Sequence, residues 1–260
     1  MKVFSISDIH VDFEENLHWF NNLSLYDYQN DLLILAGDVT HVIQLFEATL
    51  RSLRKRFWEV LFVPGNHDLW IPHTSSKHSL EKLQLLKAVT ADCGVRTEPF
   101  HLPSLSIIPL TAWYDYSFGE PSQEVFETWT DYRACKWPEP HNEKSITEHF
   151  IAMNEPFVDD SNSNSNSNEN RYIISFSHFL PRIDIMPDYI PLARRNLYPV
   201  LGTTLLEDQI RRLGSRIHVY GHSHVNNQVV KDNILYVNNA FGYPYETQIT
   251  AKKLKCIFKI

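Results

Sequence analysis

The sequence predicts an α/β fold, and two observations carry that prediction. In the first third, short β-rich apolar runs alternate with segments of helical spacing. Such β-α-β alternation means parallel strands joined by helical crossovers. In the last third the strand-like runs follow one another more closely, so a β-rich half lies beside the βαβ half.

In order, Lys2 to Ser7 alternates and reads as the first strand. Leu17 to Leu25 is a weak helix. Asp31 to Ala36 is almost continuously apolar, the pattern of a strand covered on both faces. Val42 to Arg56 places Val42, Leu45, Phe46, Leu50 and Leu53 at helical spacing, with basic residues in its last turns. Trp58 to Val63 is a third buried strand, and Ser79 to Val89 another amphipathic helix. Leu105 to Leu110 is strand-like. Arg171 to Phe176 and Arg216 to Tyr220 are strands, and Gln228 to Lys231 with Ile234 to Asn238 form a hairpin around Asp232-Asn233. Gln248 to Ile260 adds a final strand pair. Residues 159–170 form a Ser/Asn tract that ends Glu-Asn and holds no apolar residue, which predicts a surface loop.

The chain has 260 residues, 43% of them hydrophobic, enough for one large domain spanning 1–260. A formal net charge of −7 argues against duplex-DNA binding, which relies on Lys and Arg meeting phosphates. The three cysteines, Cys93, Cys135 and Cys256, are widely spaced and give neither a disulfide framework nor a zinc ribbon. Asp8 and His10 interrupt any apolar leader, and no apolar run is long enough to span a bilayer. A cytoplasmic protein with no membrane association is expected.

Five short motifs stand at strand ends: Asp8-Ile9-His10, Gly37-Asp38-Val39, Gly65-Asn66-His67-Asp68, Ser177-His178 and Gly221-His222-Ser223-His224. They supply three carboxylates, one carboxamide and five imidazoles, with no thiolate. Such donors suit hard or borderline divalent ions, and there are enough of them for two. In open α/β sheets ligands gather beyond the carboxyl ends of strands, where these motifs fall. Any one motif alone is a plausible turn or a set of satisfied histidines; five in order are not.

This ordered set resembles the calcineurin-like metallophosphoesterase superfamily, over Met1 to about Phe241 and most weakly between Leu69 and Tyr172. The resemblance implies an α/β/β/α sandwich of two mixed β-sheets flanked by helices, with the metal site at strand C-terminal ends. It implies that Asp8, His10, Asp38 and His224 hold one ion, and that Asp38, Asn66, His178 and His222 hold the other. The activity implied is metal-dependent phosphoester hydrolysis, with a metal-bridging hydroxide as in-line nucleophile. His67 then serves as general acid or leaving-group donor, and Asp68 fixes its tautomer. The donor set accepts Mn, Fe, Zn, Ni or Co, with Mn favoured. The neutral Asn66 leaves the site more positive for a phosphate.

Substrate contacts are read from neighbouring sequence rather than from the motifs. Trp113, Tyr114 and Tyr116 are expected to wall a pocket for a nucleobase or aryl group, with packing under a helix as the equal alternative. Arg182, four residues after His178, is the best candidate for a phosphate clamp. The expected substrate is a small phosphoester or a single-stranded nucleotide. A nuclease, a protein phosphatase and a non-catalytic metal-binding scaffold are the other classes weighed. The intact motifs argue against the scaffold.

Overall fold

The computed structural model describes residues 1–72, 76–163 and 171–260. Two β-sheets lie face to face. The first has the order β10-β1-β2-β3, with β1 (Lys2–Ile6), β2 (Leu32–Leu35) and β3 (Glu59–Phe62) parallel and β10 (Lys255–Lys259) antiparallel to β1. The second has the order β4-β5-β6-β7-β9-β8. Its β5 (Leu105–Pro109), β6 (Tyr172–Phe176), β7 (Ile217–Tyr220) and β9 (Ile234–Asn238) are parallel. β4 (Phe100–His101) and β8 (Asn227–Lys231) run antiparallel at its edges.

Alternation along the strands produces the layers. Val3, Leu32, Ile34 and Leu61 point from the first sheet into a core shared with Ile107, Ile174, Phe176 and Val219 of the second. Phe4, Leu33, Leu35, Val60 and Phe62 point the other way. There they meet Phe46, Leu50 and Leu53 of α2 (Ile43–Arg54) and Leu83 and Leu86 of α3 (Ser79–Asp92). After the short helices α4 (Gln123–Thr128) and α5 (Asp131–Ala134), α6 (Glu143–Ser163) and α7 (Thr204–Leu213) lie beyond the second sheet and bury Phe150, Leu206 and Ile210. The arrangement is the α/β/β/α sandwich. Strands covered on both faces read as unbroken apolar runs, as β2 and β3 do.

Three element readings change. The first helix, α1, spans Glu14–Asn21 rather than Leu17–Leu25. Its start is favoured by Glu14 and Glu15 in the first turn, and by the buried Asn16, which donates to the Ile9 carbonyl. The C-terminal stretch gives one strand, β10, rather than the expected pair, and it joins the first sheet beside β1. The helix α6 runs on through Ser163, into the predicted Ser/Asn loop, and the remainder of that tract lies outside the described residues. The hairpin forms as predicted: Asp232 (φ 48°) and Asn233 (φ 68°) make its two-residue turn, and Lys231 pairs with Ile234. Among the described residues no helix is long and apolar enough to cross a membrane.

Candidate metal centre

The motifs at the ends of β1, β2, β3, β6 and β7 converge where the two sheets meet. Asp8, His10, Asp38 and His224 form one group and Asp38, His178 and His222 a second. Within each group the donor atoms all lie within 4.8 Å of one another, and Asp38 belongs to both. The side-chain oxygen of Asn66 joins the second, 3.1 Å from His178 Nε2. The first sheet therefore supplies all three oxygen donors and His10, and the second supplies His178, His222 and His224.

The backbone is bent to aim these groups. Asp8, His10, Asp38, His222 and His224 all adopt positive φ, between 40° and 63°. Residues other than glycine seldom do so, and such strain persists where the surroundings enforce it. Gly65 is required for a different reason: a Cβ there would lie 2.7 Å from the Asp38 nitrogen and displace the carboxylate shared by both groups.

Hydrogen bonds orient four of the candidate ligands from behind. His178 Nδ1 bonds the Ala36 carbonyl at 2.9 Å, and His222 Nε2 bonds the Val200 carbonyl at 3.0 Å. His224 Nδ1 bonds Glu246 Oε2 at 2.7 Å. Each ring donates outward through one nitrogen and so turns the lone pair of the other into the site. Asn66 Nδ2 donates to Asp131 Oδ1 at 2.9 Å, which turns its oxygen inward. Asp38 Oδ1 accepts the His67 backbone N–H at 2.9 Å, while its Oδ2 stands 3.4 Å from His178 Nε2 and 4.0 Å from His10 Nε2.

The electrostatics fit a cation. Burial, with Asp8 and Asp68 nearby, raises the Asp38 carboxyl well above the usual range. Burial would raise Asp8 too, but the His224 contact overrides it and holds that carboxyl well below normal. Burial lowers His10 and His178, and takes His222 down to about 3. His224 resists its own burial because Asp8 and Glu246 flank it, and rises to about 9. Crowded buried carboxylates beside the neutral imidazoles of His10, His178 and His222 are relieved by divalent ions, which invert this local charge balance.

His67 lies at the rim of the site. Its ring stacks on Trp70 at 3.7 Å, and its Nε2 is 3.9 Å from Asp38 Oδ2. Asp68 does not hold it. The Asp68 carboxylate accepts backbone N–H groups of Asp38, Val39, Thr40 and Gly65 at 2.8 to 3.1 Å. It ties the β2 and β3 loops together and is fully committed to that task, which corrects the expected His67–Asp68 pairing.

The substrate residues expected near the site are also corrected. Trp113 and Tyr114 are 1% exposed and pack against Phe179 and each other in the core. Their segment directly follows β5, so they fill the space beneath the helices. Arg182 is engaged by Asp184, Glu207 and Asp232, the nearest at 2.6 Å, and has no unpaired charge for a phosphate. Conversely, Asp131, Trp70, Tyr243 and Glu246 at the site belong to none of the five motifs. Trp70, three residues beyond His67, is the one that sequence proximity would have flagged.

The model of the calcineurin-like phosphoesterase family matches residues 1–226, and the chain belongs to that family. It is accordingly a metal-dependent hydrolase of phosphoric esters. The chain is 26% identical to the [acyl-carrier-protein] phosphodiesterase PptH of Mycobacterium tuberculosis, over 94% of this chain and 78% of that protein. A protein of Acanthamoeba polyphaga mimivirus is 20% identical over 93% of this chain and 91% of its own. The crystal structure of the Mycobacterium tuberculosis phosphopantetheinyl hydrolase PptH superimposes with a TM-score of 0.78, at 23% identity, covering 98% of this chain and 95% of that one. That superposition reflects a shared fold.

Proposed function

We propose that this protein is a dinuclear phosphodiesterase. Asp8, His10, Asp38 and His224 would hold one divalent ion, and Asp38, Asn66, His178 and His222 the other, with Asp38 bridging. The single observation that carries the reading is the position of Asp38, common to two groups of donors. Ions held there would lower the pKa of a water and neutralise phosphate oxygens, Mn being the favoured occupant.

The remaining work falls to side chains. Asn66, as a neutral donor, leaves net positive charge for the phosphate. His67, held flat by Trp70, presents Nε2 to the leaving oxygen. Its burial, followed by the neighbouring imidazoles, keeps the free ring neutral. An arriving phosphodiester monoanion favours its protonation, which readies it to donate.

A diester is favoured over a monoester because the similar PptH is a phosphodiesterase on acyl carrier protein. The leading substrate class is therefore a phosphodiester, with a prosthetic arm on a carrier protein first among candidates and small diesters next. The test is hydrolysis by chelator-stripped protein with Mn, Fe, Zn, Ni or Co returned singly. Holo-carrier protein, bis-p-nitrophenyl phosphate and p-nitrophenyl phosphate serve as substrates, with Asp38→Ala as control. Metal-dependent cleavage of diesters above the monoester, absent in Asp38→Ala, is expected. Preference for the monoester would overturn the diester assignment.

A further inference from the structure

We propose that Tyr243 is a catalytic residue whose phenol hydroxyl donates a hydrogen bond to the oxygen leaving phosphorus, alongside His67. The inference rests on the phosphoester reading above, and it concerns a segment that lies after the residues matched by the family.

Tyr243 Oη is 3.4 Å from His67 Nε2, so the two polar atoms stand side by side at the rim, within reach of one shared oxygen. The phenol ring stacks on His10 at 4.6 Å and 28°, and meets His224 edge-on at 4.9 Å. Phe13 and Tyr245 close on its other sides at 5.4 and 5.6 Å. Packing alone explains the ring, and a phenylalanine would serve for that. It does not explain why the hydroxyl of this half-buried residue meets the proposed leaving-group donor.

The backbone is built to hold that hydroxyl in place. After β9 the chain crosses to the first sheet, where Gly242 N donates to the Asp8 carbonyl at 2.9 Å. The Gly242 carbonyl accepts from Asn16 Nδ2 and from Lys252 Nζ, both at 3.0 Å. Lys252 Nζ also donates to the Tyr243 carbonyl at 2.7 Å. Glu246 Oε2 accepts both Tyr243 N at 2.8 Å and His224 Nδ1 at 2.7 Å, so one carboxylate couples a candidate metal ligand to the tyrosine. Gly242 has φ +69°, and a Cβ there would meet Glu246 Oε2 and Thr250 Cγ2 at 2.7 Å each. A loop fixed this firmly is suited to pre-oriented donation, which costs no reorganisation during reaction.

A donor to the leaving oxygen matters in proportion to the charge that oxygen develops. The test is Tyr243→Phe, which keeps the stacked ring, assayed on two diesters sharing one phosphate, with alkyl or p-nitrophenyl leaving groups. Bound metal is quantified in the same samples. The expected result is unchanged metal and KM, and kcat lower by about 10²-fold on the alkyl ester. On p-nitrophenyl, a leaving group that needs little help, the fall should stay within about 5-fold. Equal losses on both esters, lost metal, or no loss would each overturn the role. Failure of the wild-type enzyme itself to cleave either ester would instead overturn the phosphoester reading and this inference with it.

Discussion

At the residue scale, the carboxylates that matter divide into those facing the site and those behind it. Asp131 is of the second kind. It is buried, and accepts from Asn66 Nδ2, Trp70 Nε1 and Trp129 Nε1 at 2.9, 2.7 and 2.9 Å. One side chain thus fixes both the carboxamide beside the second candidate donor group and the indole on which His67 rests. Outer partners of this type typically contribute about 10–100-fold to metal affinity. Asp131→Ala should weaken the ion at Asn66, His178 and His222 by about that factor while the ion at His10 and His224 stays tight. Metal titration resolving two sites per chain reads this directly, and two unchanged affinities would count against it. Asp131 was not legible in the sequence: it lies 65 residues from Asn66, in no motif, and only folding brings them together. The motif residues were legible because each follows an apolar run. Trp113 and Tyr114 show the opposite failure, since aromatic clustering reads the same for a cleft wall and for the core they fill. For Arg182 a warning was present two residues on, in Asp184, which takes up its guanidinium.

At the element scale, β6 and β7 are joined by more than their ladder. His218 of β7 is fully buried, with Nδ1 2.9 Å from Ser175 Oγ and Nε2 3.0 Å from Ser177 Oγ. Burial lowers its pKa from 6.5 to about 3. The folded state therefore binds fewer protons than the unfolded state between those values, and stability must fall as pH drops through that window. It is fully present above about 6.5 and lost progressively below. From pH 6.5 to 5 this one group costs about 2 kcal/mol. In metal-free protein, His218→Asn should flatten the acid limb of denaturant stability by about that amount, whatever its effect at neutral pH. Parallel acid limbs for the two proteins would mean that His218 titrates normally. The strand itself was readable from its apolar residues. That its one histidine would be core, while His222 and His224 turn to the site, depends on where the strand ends, a boundary sequence locates poorly. The single β10, where a strand pair was expected, has the same cause: short C-terminal runs carry no signal of which sheet will accept them.

At the scale of the whole molecule, the candidate metal centre is also a joint. Loops after β1, β2 and β3 contribute Asp8, His10, Asp38 and Asn66, while loops after β6 and β7 contribute His178, His222 and His224. No chain segment carries a full set, so ions bound there would fasten one sheet to the other. Parallel strands with helical crossovers followed from alternation and from runs covered on both faces, and the two-sheet sandwich from the resemblance that the ordered motifs carry. The joint between its sheets did not, because periodicity says nothing of which strand ends meet. Ligands that bind only the folded state stabilise it by mass action, about 4 kcal/mol at a thousandfold excess over Kd. For a chain of this size each kcal/mol moves Tm by about 2–4 °C. Chelation should therefore lower the melting temperature by roughly 10 °C. In Asp38→Ala, lacking the carboxylate common to both groups, added metal should restore little of it. Melting curves of both proteins, with metal and with chelator, decide the point. A wild-type Tm indifferent to chelation would show that the sheets hold together without the ions. An Asp38→Ala protein as responsive as wild type would move the joint away from that carboxylate.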